Sequence, residues 1–427
     1  MRAVLWLLGL FAISVALALF AGNNQASVTL FWPPYRVDVS LNLVLLLGLI
    51  LFGVAHVAFR ALGTLLSMPS EARRWRALQR ERGMYQGLIE AITHFSSGRF
   101  TRARKSAVTA AEKAASLRGT ENEPVHRLRV EALAHLYAGE SAHSLRDPQV
   151  RDEHWQRAMD MCQGRDLTDL REAAILRSAR WLIDDHDAPG CLARLAELPQ
   201  GAGRRTLALR LKLRAARLDR KTLLALDTAR LLAKHKAFSP AASSSILRGL
   251  ITDLLNDSHD VEQLRGAWAQ LDADEKQAPD LALMAATRFI QFQHLSAADP
   301  AAALEHAREC LRPVWENYTS LNSEQKTRLA IAMEKVQVGL SREWLSSIET
   351  AQRLGSHDPL LQYIAAHAFA DQQLWGKAMQ LFQQCAPDLS QPALARRAWL
   401  ALRHLATIKG DADLERHALE RAAHVTD

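Results

Sequence analysis

The densest run of side chains able to hold a charged partner is Arg204, Arg205, Arg210, Lys212, Arg214, Arg217, Arg220 and Lys221. Within it Arg210, Arg214 and Arg217 recur at i, i+4 and i+7, a spacing that gathers them on one helical face. A guanidinium presents a planar fork of N–H donors that matches a carboxylate. Three on one face could therefore pair with an acidic protein surface or a carboxylate-bearing small molecule. The plainer reading is a solvated outer face. Nucleic acid is not an expected partner, because no aromatic stacking platform or base-reading motif interleaves the charges. A second basic run, Arg73, Arg74, Arg76, Arg80 and Arg82, follows a long apolar stretch. Arg73, Arg74 and Arg76 are the candidate contacts to anionic lipid headgroups, each basic residue contributing about 1 kcal/mol near such a surface.

Bond-making chemistry finds no constellation. Gly201-Ala202-Gly203 runs into Arg-Arg-Thr with no strand before it, which reads as a loop and not a pyrophosphate cradle. Gly-Lys-Ser/Thr, His-Glu-x-x-His and Gly-x-Ser-x-Gly motifs are missing. The sixteen histidines are scattered, and no Cys-x-x-Cys-His site occurs. Histidine can ligate iron without a short motif, but no axial ligand is nominated; His404 and His417, on the last pair of helices, read as surface or packing residues. The four cysteines, Cys162, Cys191, Cys310 and Cys385, are too far apart in sequence for a metal knuckle or redox pair and indicate a reducing compartment. No enzyme, resident cofactor or metal is expected. The eight tryptophans from Trp75 to Trp399 fall at helical spacing among Leu and Ala, the pattern of packing.

The elements that position these residues begin with two apolar runs. Residues 3–21 and 41–59 are each long enough, at about 1.5 Å per residue, to cross most of a hydrocarbon core about 30 Å thick. Between them, 22–40 forms a short external loop with the turn pair Pro33-Pro34 and two aromatics, Trp32 and Tyr35, suited to the headgroup level. Arg36 is the only basic residue there, whereas the second run is followed by Arg60 and the Arg73–Arg82 cluster; this asymmetry predicts that both ends face the cytoplasm. A competing reading makes residues 1–21 a cleaved signal, with Arg2 before the apolar core and Ala16-Leu17-Ala18 as the cleavage site; the second span would still hold the chain. His56, one turn from the cytoplasmic end beside Arg60, reads as interfacial. Residues 1–69 are thus a membrane anchor.

Residues 70–427 read as helix throughout. The 427-residue chain is rich in Ala, Leu and Arg, carries +7 net charge with a pI near 9.4, and has few aromatics. The charge favours anionic partners. Glu123-Pro124, Asp147-Pro148, Ser239-Pro240, Asp299-Pro300 and Asp358-Pro359 place proline where it can open a helix. Phe369, Trp375, Ala378, Phe382 and Cys385 follow the large–small alternation of a tetratricopeptide hairpin. Gly98-Arg99-Phe100 with Ala103, Ala107 and Ala110 repeats it, Gly410, Ala412, Leu419 and Ala422 give a weaker copy, and 299–311 a degenerate one. Roughly nine helix pairs fit at 34 to 40 residues each. The predicted fold is therefore all-α: two N-terminal transmembrane helices, then a tetratricopeptide-like α-solenoid of helix hairpins, a shape suited to binding extended partners.

Several segments resemble the proteobacterial HemY family of membrane-anchored tetratricopeptide proteins associated with haem biosynthesis. They are the double anchor, Ala72-Arg73-Arg74-Trp75, Gly98-Arg99-Phe100-Thr101-Arg102-Ala103, Leu213-Arg214-Ala215-Ala216-Arg217-Leu218, Lys234-His235-Lys236-Ala237-Phe238-Ser239-Pro240 and Gln373-Leu374-Trp375-Gly376-Lys377-Ala378. The resemblance implies a bacterial inner-membrane scaffold that gathers late protohaem-pathway enzymes, or an intermediate passing between them, with those proteins as partners and no catalytic residues. It also gives Arg210, Arg214 and Arg217 an alternative ligand, the propionates of haem or a porphyrin. A flavoprotein protoporphyrinogen oxidase shares the family's name, but no dinucleotide fingerprint exists here to support that activity. Oligomeric state is not fixed by the sequence.

Overall fold

A computed structural model describes residues 2–120, 123–293 and 300–425, with the backbone alone for residues 2–5, 64–74 and 300. Two compact units divide the chain, residues 1–174 and 175–427.

The first unit opens with α1 (Arg2–Asn23), β1 (Ser27–Trp32), β2 (Tyr35–Ser40) and α2 (Leu41–Ser96). Trp6–Asn23 and Leu41–Gly63 are long and apolar enough to cross a membrane, and none of either stretch is covered by the rest of the protein. Apolar residues all round a helix with no protein cover require an apolar solvent. The segment expected as a loop pairs instead as an antiparallel hairpin, Val28 opposite Val39 and Trp32 opposite Tyr35. Its alternation over Val28-Thr29-Leu30 and Val37-Asp38-Val39 is too short to weigh against the apolar runs beside it. Two hydrogen bonds close its base: the Asn42 side-chain amide donates to the Ala21 carbonyl at 2.7 Å, and the Leu41 backbone N–H to the Ala26 carbonyl at 2.9 Å.

α2 runs unbroken through residue 69 for 56 residues, about 84 Å at 1.5 Å per residue, so its far end is the first helix of the repeat body. There it packs on α3 (Phe100–Ala115), and α4 (Arg127–Ser144), α5 (Pro148–Met161) and the start of α6 (Thr168–Asp184) follow. Ala103, Ala107 and Ala110 are buried, and a Cβ at Gly87 would stand 3.1 Å from that of Ala110: small residues let α2 and α3 approach closely. Asp147 caps α5 and also bridges to Arg104 of α3 at 3.2 Å.

The second unit continues α6 into α7 (Ala188–Ala196), α8 (Gln200–Gly203), α9 (Thr206–Leu218), α10 (Thr222–Lys234), α11 (Pro240–Asn256), α12 (Val261–Ala269), α13 (Ala273–Lys276), α14 (Pro279–Gln293), α15 (Pro300–Glu316), α16 (Ser323–Lys335), α17 (Arg342–Leu354), α18 (Pro359–Asp371), α19 (Trp375–Cys385), α20 (Pro392–Lys409) and α21 (Ala412–His424). One apolar core runs from Leu209 to Ala422. Ser239 and Asp358 cap α11 and α18 ahead of their prolines, whereas Pro124 stands outside α4 and Asp299 lies outside the described residues. In the α18–α19 hairpin Phe369, Ala378, Phe382 and Cys385 are all buried. In the last pair Ala418 and Ala422 fill the packing positions, and Leu419, expected inside, is 44% exposed.

The repeat is most regular in its turns. At Gly98, Arg146, His186, Arg220, Lys236, Gln373 and Gly410 the backbone turns left-handed directly after a helix, with φ between 52° and 76°. Each time that residue's N–H bonds three residues back and the next N–H five back, as in Gln373 to Ala370 and Leu374 to Phe369. This is a closed helix-ending motif. Five of these seven positions are not glycine, so the periodicity is carried by the backbone and is faint in the residues.

Candidate functional site

Arg210, Arg214 and Arg217 project from α9, whose opposite face sends Leu209, Leu213 and Ala216 into the core. The amphipathic period thus fixes where the arginines point. They line a groove of about 570 Å³ whose apolar surface comes from Leu213, Leu218, Phe238 and Ile246. Phe238 lies in the turn between α10 and α11, entered through the left-handed Lys236. Arg210 holds that turn: its Nη2 donates to the Ala237 carbonyl at 2.9 Å, and its guanidinium stands 5.9 Å from the Phe238 ring centre.

Arg214 is 3.6 Å from Asp184, an ion pair with the arginine side chain 59% exposed. Arg217 is exposed and has no ion pair among the described residues. The three therefore differ: Arg210 is committed to the fold, Arg214 is half-committed, and Arg217 is open to a ligand anion. An exposed guanidinium fence over an apolar floor suits an amphipathic anion, whether a helix with acidic and apolar faces or a flat ring bearing carboxylates. The segments 213–218 and 234–240 meet at this groove.

Of the lipid candidates, Arg73 and Arg74 have side chains outside the described residues, and Arg76 is exposed on α2. Trp75 beside it is 63% exposed, unlike Trp181, Trp315, Trp344 and Trp399, which are buried. His404 lies on α20 and His417 on α21, where it meets the Trp399 ring edge-on at 5.9 Å. No group of three His, Cys, Asp or Glu with metal-holding geometry occurs among the described residues.

No motif in the residues announces a larger cleft of about 820 Å³, between the end of α15, α17 and the start of α18. Trp315, Tyr318, Leu354 and Leu361 line it. The Tyr318 hydroxyl donates to Asp358 at 2.9 Å, and Lys326 sits 3.9 Å from Asp358. Burial, with the Asp358 carboxylate beside it, raises the Tyr318 phenol well above its ordinary range, so it stays a neutral donor. Asp358 also caps α18, so these three polar groups brace the fold at the cleft wall. Only Asp358-Pro359 was visible beforehand, as a helix start.

Two buried histidine sites lie apart from these grooves. His135 of α4 and His154 of α5 face each other Nδ1 to Nδ1 at 3.0 Å. Burial lowers both, His135 to about 4 with His154 opposing its charge. His367 of α18 is wedged edge-on between Tyr363 at 4.6 Å and Phe382 at 4.8 Å, and burial lowers it to about 4. These rings are kept neutral as packing groups.

No curated protein matches the sequence. Solved structures are similar at low TM-score: yeast Tom70 (13% identity, TM-score 0.27, covering 81% of this chain and 69% of that one), Naa15/Naa10 bound to HypK-THB (12%, 0.24, 78% and 57%), and a circular tandem repeat protein with novel repeat topology and enhanced subunit contact surfaces (16%, 0.19, 82% and 84%). Residues 26–122, from the hairpin through α2 to the end of the first helix pair, match the family described as HemY protein N-terminus. That similarity covers β1, β2, α2 and α3 and stops before the helices of the repeat that follow.

Proposed function

We propose that this protein is a double-span inner-membrane anchor whose repeat body stands in the cytoplasm of a bacterium and gathers enzymes of late protohaem synthesis, or their intermediates, at the membrane. It acts by binding and catalyses nothing. The observation that carries the reading is the continuity of α2: one helix is both the second apolar span and the first helix of the repeat, so the binding body starts at the bilayer. The cytoplasmic side follows from the Arg60–Arg82 charge, and the pathway from the resemblance and the N-terminal family match. Crosslinking in native membranes tests it. Capture of porphyrin-pathway enzymes, weakened by Arg214→Glu with Arg217→Glu, is expected; capture of outer-envelope proteins alone would sink the pathway assignment.

A second reading, a haem or porphyrin carrier, is favoured by the groove of Arg210, Arg214 and Arg217 over Phe238 and Ile246. Titrating haemin into the full chain in detergent would give a Soret shift that Arg217→Glu diminishes. An unshifted Soret band disposes of the carrier and leaves the scaffold untouched.

A further inference from the structure

The β1–β2 hairpin has two chemically distinct faces. Side chains alternate along a strand, and directly paired residues share a side. The register pairs Val28 with Val39, Leu30 with Val37 and Trp32 with Tyr35, so one face is apolar and carries no charge. The other pairs Ser27 with Ser40, Thr29 with Asp38 and Phe31 with Arg36, and there Arg36 lies 3.6 Å from Asp38 and 5.4 Å from the Phe31 ring. Towards the turn the apolar face is bare, with Leu30 57% exposed, Val37 51%, and Trp32 and Tyr35 72% each, while Val28 and Val39 at the base are half-buried.

A lone two-stranded hairpin is marginal in water and gains stability from a surface that covers its apolar side. The nearest such surface is set by the chain itself. β2 runs directly into the apolar span of α2, and three residues separate β1 from α1. The Asn42 and Leu41 hydrogen bonds to Ala21 and Ala26 keep both helix ends at the hairpin's base. Trp, Tyr and Arg are the side chains that settle at the boundary between headgroups and acyl chains.

We propose that the hairpin lies along the bilayer surface opposite the repeat body, with the Val28–Val39, Leu30–Val37 and Trp32–Tyr35 face in the lipid interface and Thr29, Asp38 and Arg36 turned to water. It is an amphipathic β-element that seats the anchor in the far leaflet. The inference rests on the double-span reading above.

Spin labels placed singly at Leu30→Cys, Val37→Cys, Thr29→Cys and Asp38→Cys test it, in the full chain in vesicles of phosphatidylethanolamine and phosphatidylglycerol. Leu49→Cys, in the middle of the α2 span, serves as the reference. The native Cys162, Cys191, Cys310 and Cys385 are buried, and unsubstituted chain gives the labelling blank. Expected is an alternation: positions 30 and 37 collide with dissolved oxygen and are shielded from a water-soluble nickel chelate, positions 29 and 38 do the reverse, and position 49 reports the deepest burial. If both faces meet nickel alike while position 49 stays in lipid, the hairpin proposal fails and the anchor stands. If positions 30 and 37 are closed to both reagents, protein covers the face, either a second copy or a partner, and the proposal is overturned. Nickel access at position 49 would remove the double-span reading itself.

Discussion

At the scale of single residues, the body spends its polar side chains on holding helices together. The His135–His154 pair shows it. With Nδ1 facing Nδ1, one ring donates and the other accepts, which forbids double protonation. Because the folded values lie below the ordinary one, the unfolded chain takes up protons first as the solution is acidified. The stability these rings contribute is present above about pH 6.5 and is lost as pH falls towards 4. Thermal unfolding followed between pH 7.5 and 4.5 is expected to show a falling Tm, with a shallower fall in His135→Gln/His154→Gln; equal slopes would show that the pair is not the cause. The thiols behave likewise. Burial pushes Cys191 up to about 11 and Cys385 to about 12, and Cys162 and Cys310 are raised too. A thiol held protonated and covered is a poor nucleophile. Iodoacetamide at pH 7.5 should leave the folded chain unmodified and label four sites after denaturation, and rapid labelling of any one in the native state would contradict its burial.

At the scale of elements, the recurrent turn is the unit of construction. A left-handed residue with a Cβ costs roughly 1–2 kcal/mol, and the structure accepts that at Arg146, His186, Arg220, Lys236 and Gln373 because the hairpin geometry needs the turn. Gln373→Gly removes the strain and should raise stability by about 1 kcal/mol, while Gly410→Val should lower it by a similar amount. Chemical denaturation of both variants measures the difference, and an unchanged midpoint for Gly410→Val would mean that φ of +76° is not held in solution. Core packing is less forgiving. Phe382 is completely buried against Tyr363 and His367, and Phe382→Ala should cost about 3–5 kcal/mol.

At the scale of the whole molecule, the long α2 dictates what the anchor can transmit. The helix continuous from the apolar span into the first hairpin passes through Pro69, which has no N–H to offer the carbonyl four residues back, so a bend between anchor and body would centre there. On the double-span orientation proposed above, a reporter fused after Asp427 should be active only in the cytoplasm, and one inserted at the Pro33–Pro34 turn only outside it; activity of the Asp427 fusion on the far side would reverse that orientation.

How much of this was legible in the residues follows from range. The apolar spans, the helical period of the body and the proline-opened starts of α5, α11 and α18 are local: each depends on neighbours within one or two turns, and the sequence by itself determined them. The single face holding Arg210, Arg214 and Arg217 was equally local. Only the tertiary structure decided that Phe238 and Ile246 from later elements give those arginines an apolar floor, that Asp184 occupies Arg214 and leaves Arg217 open, and that Trp315 and Leu361 border one cleft. It also decided the turns and the hairpin's two faces. A left-handed turn is selected by backbone hydrogen bonds, and strand pairing by residues across the chain; neither leaves a periodic trace in residue type when Arg, His, Lys and Gln can fill the same position.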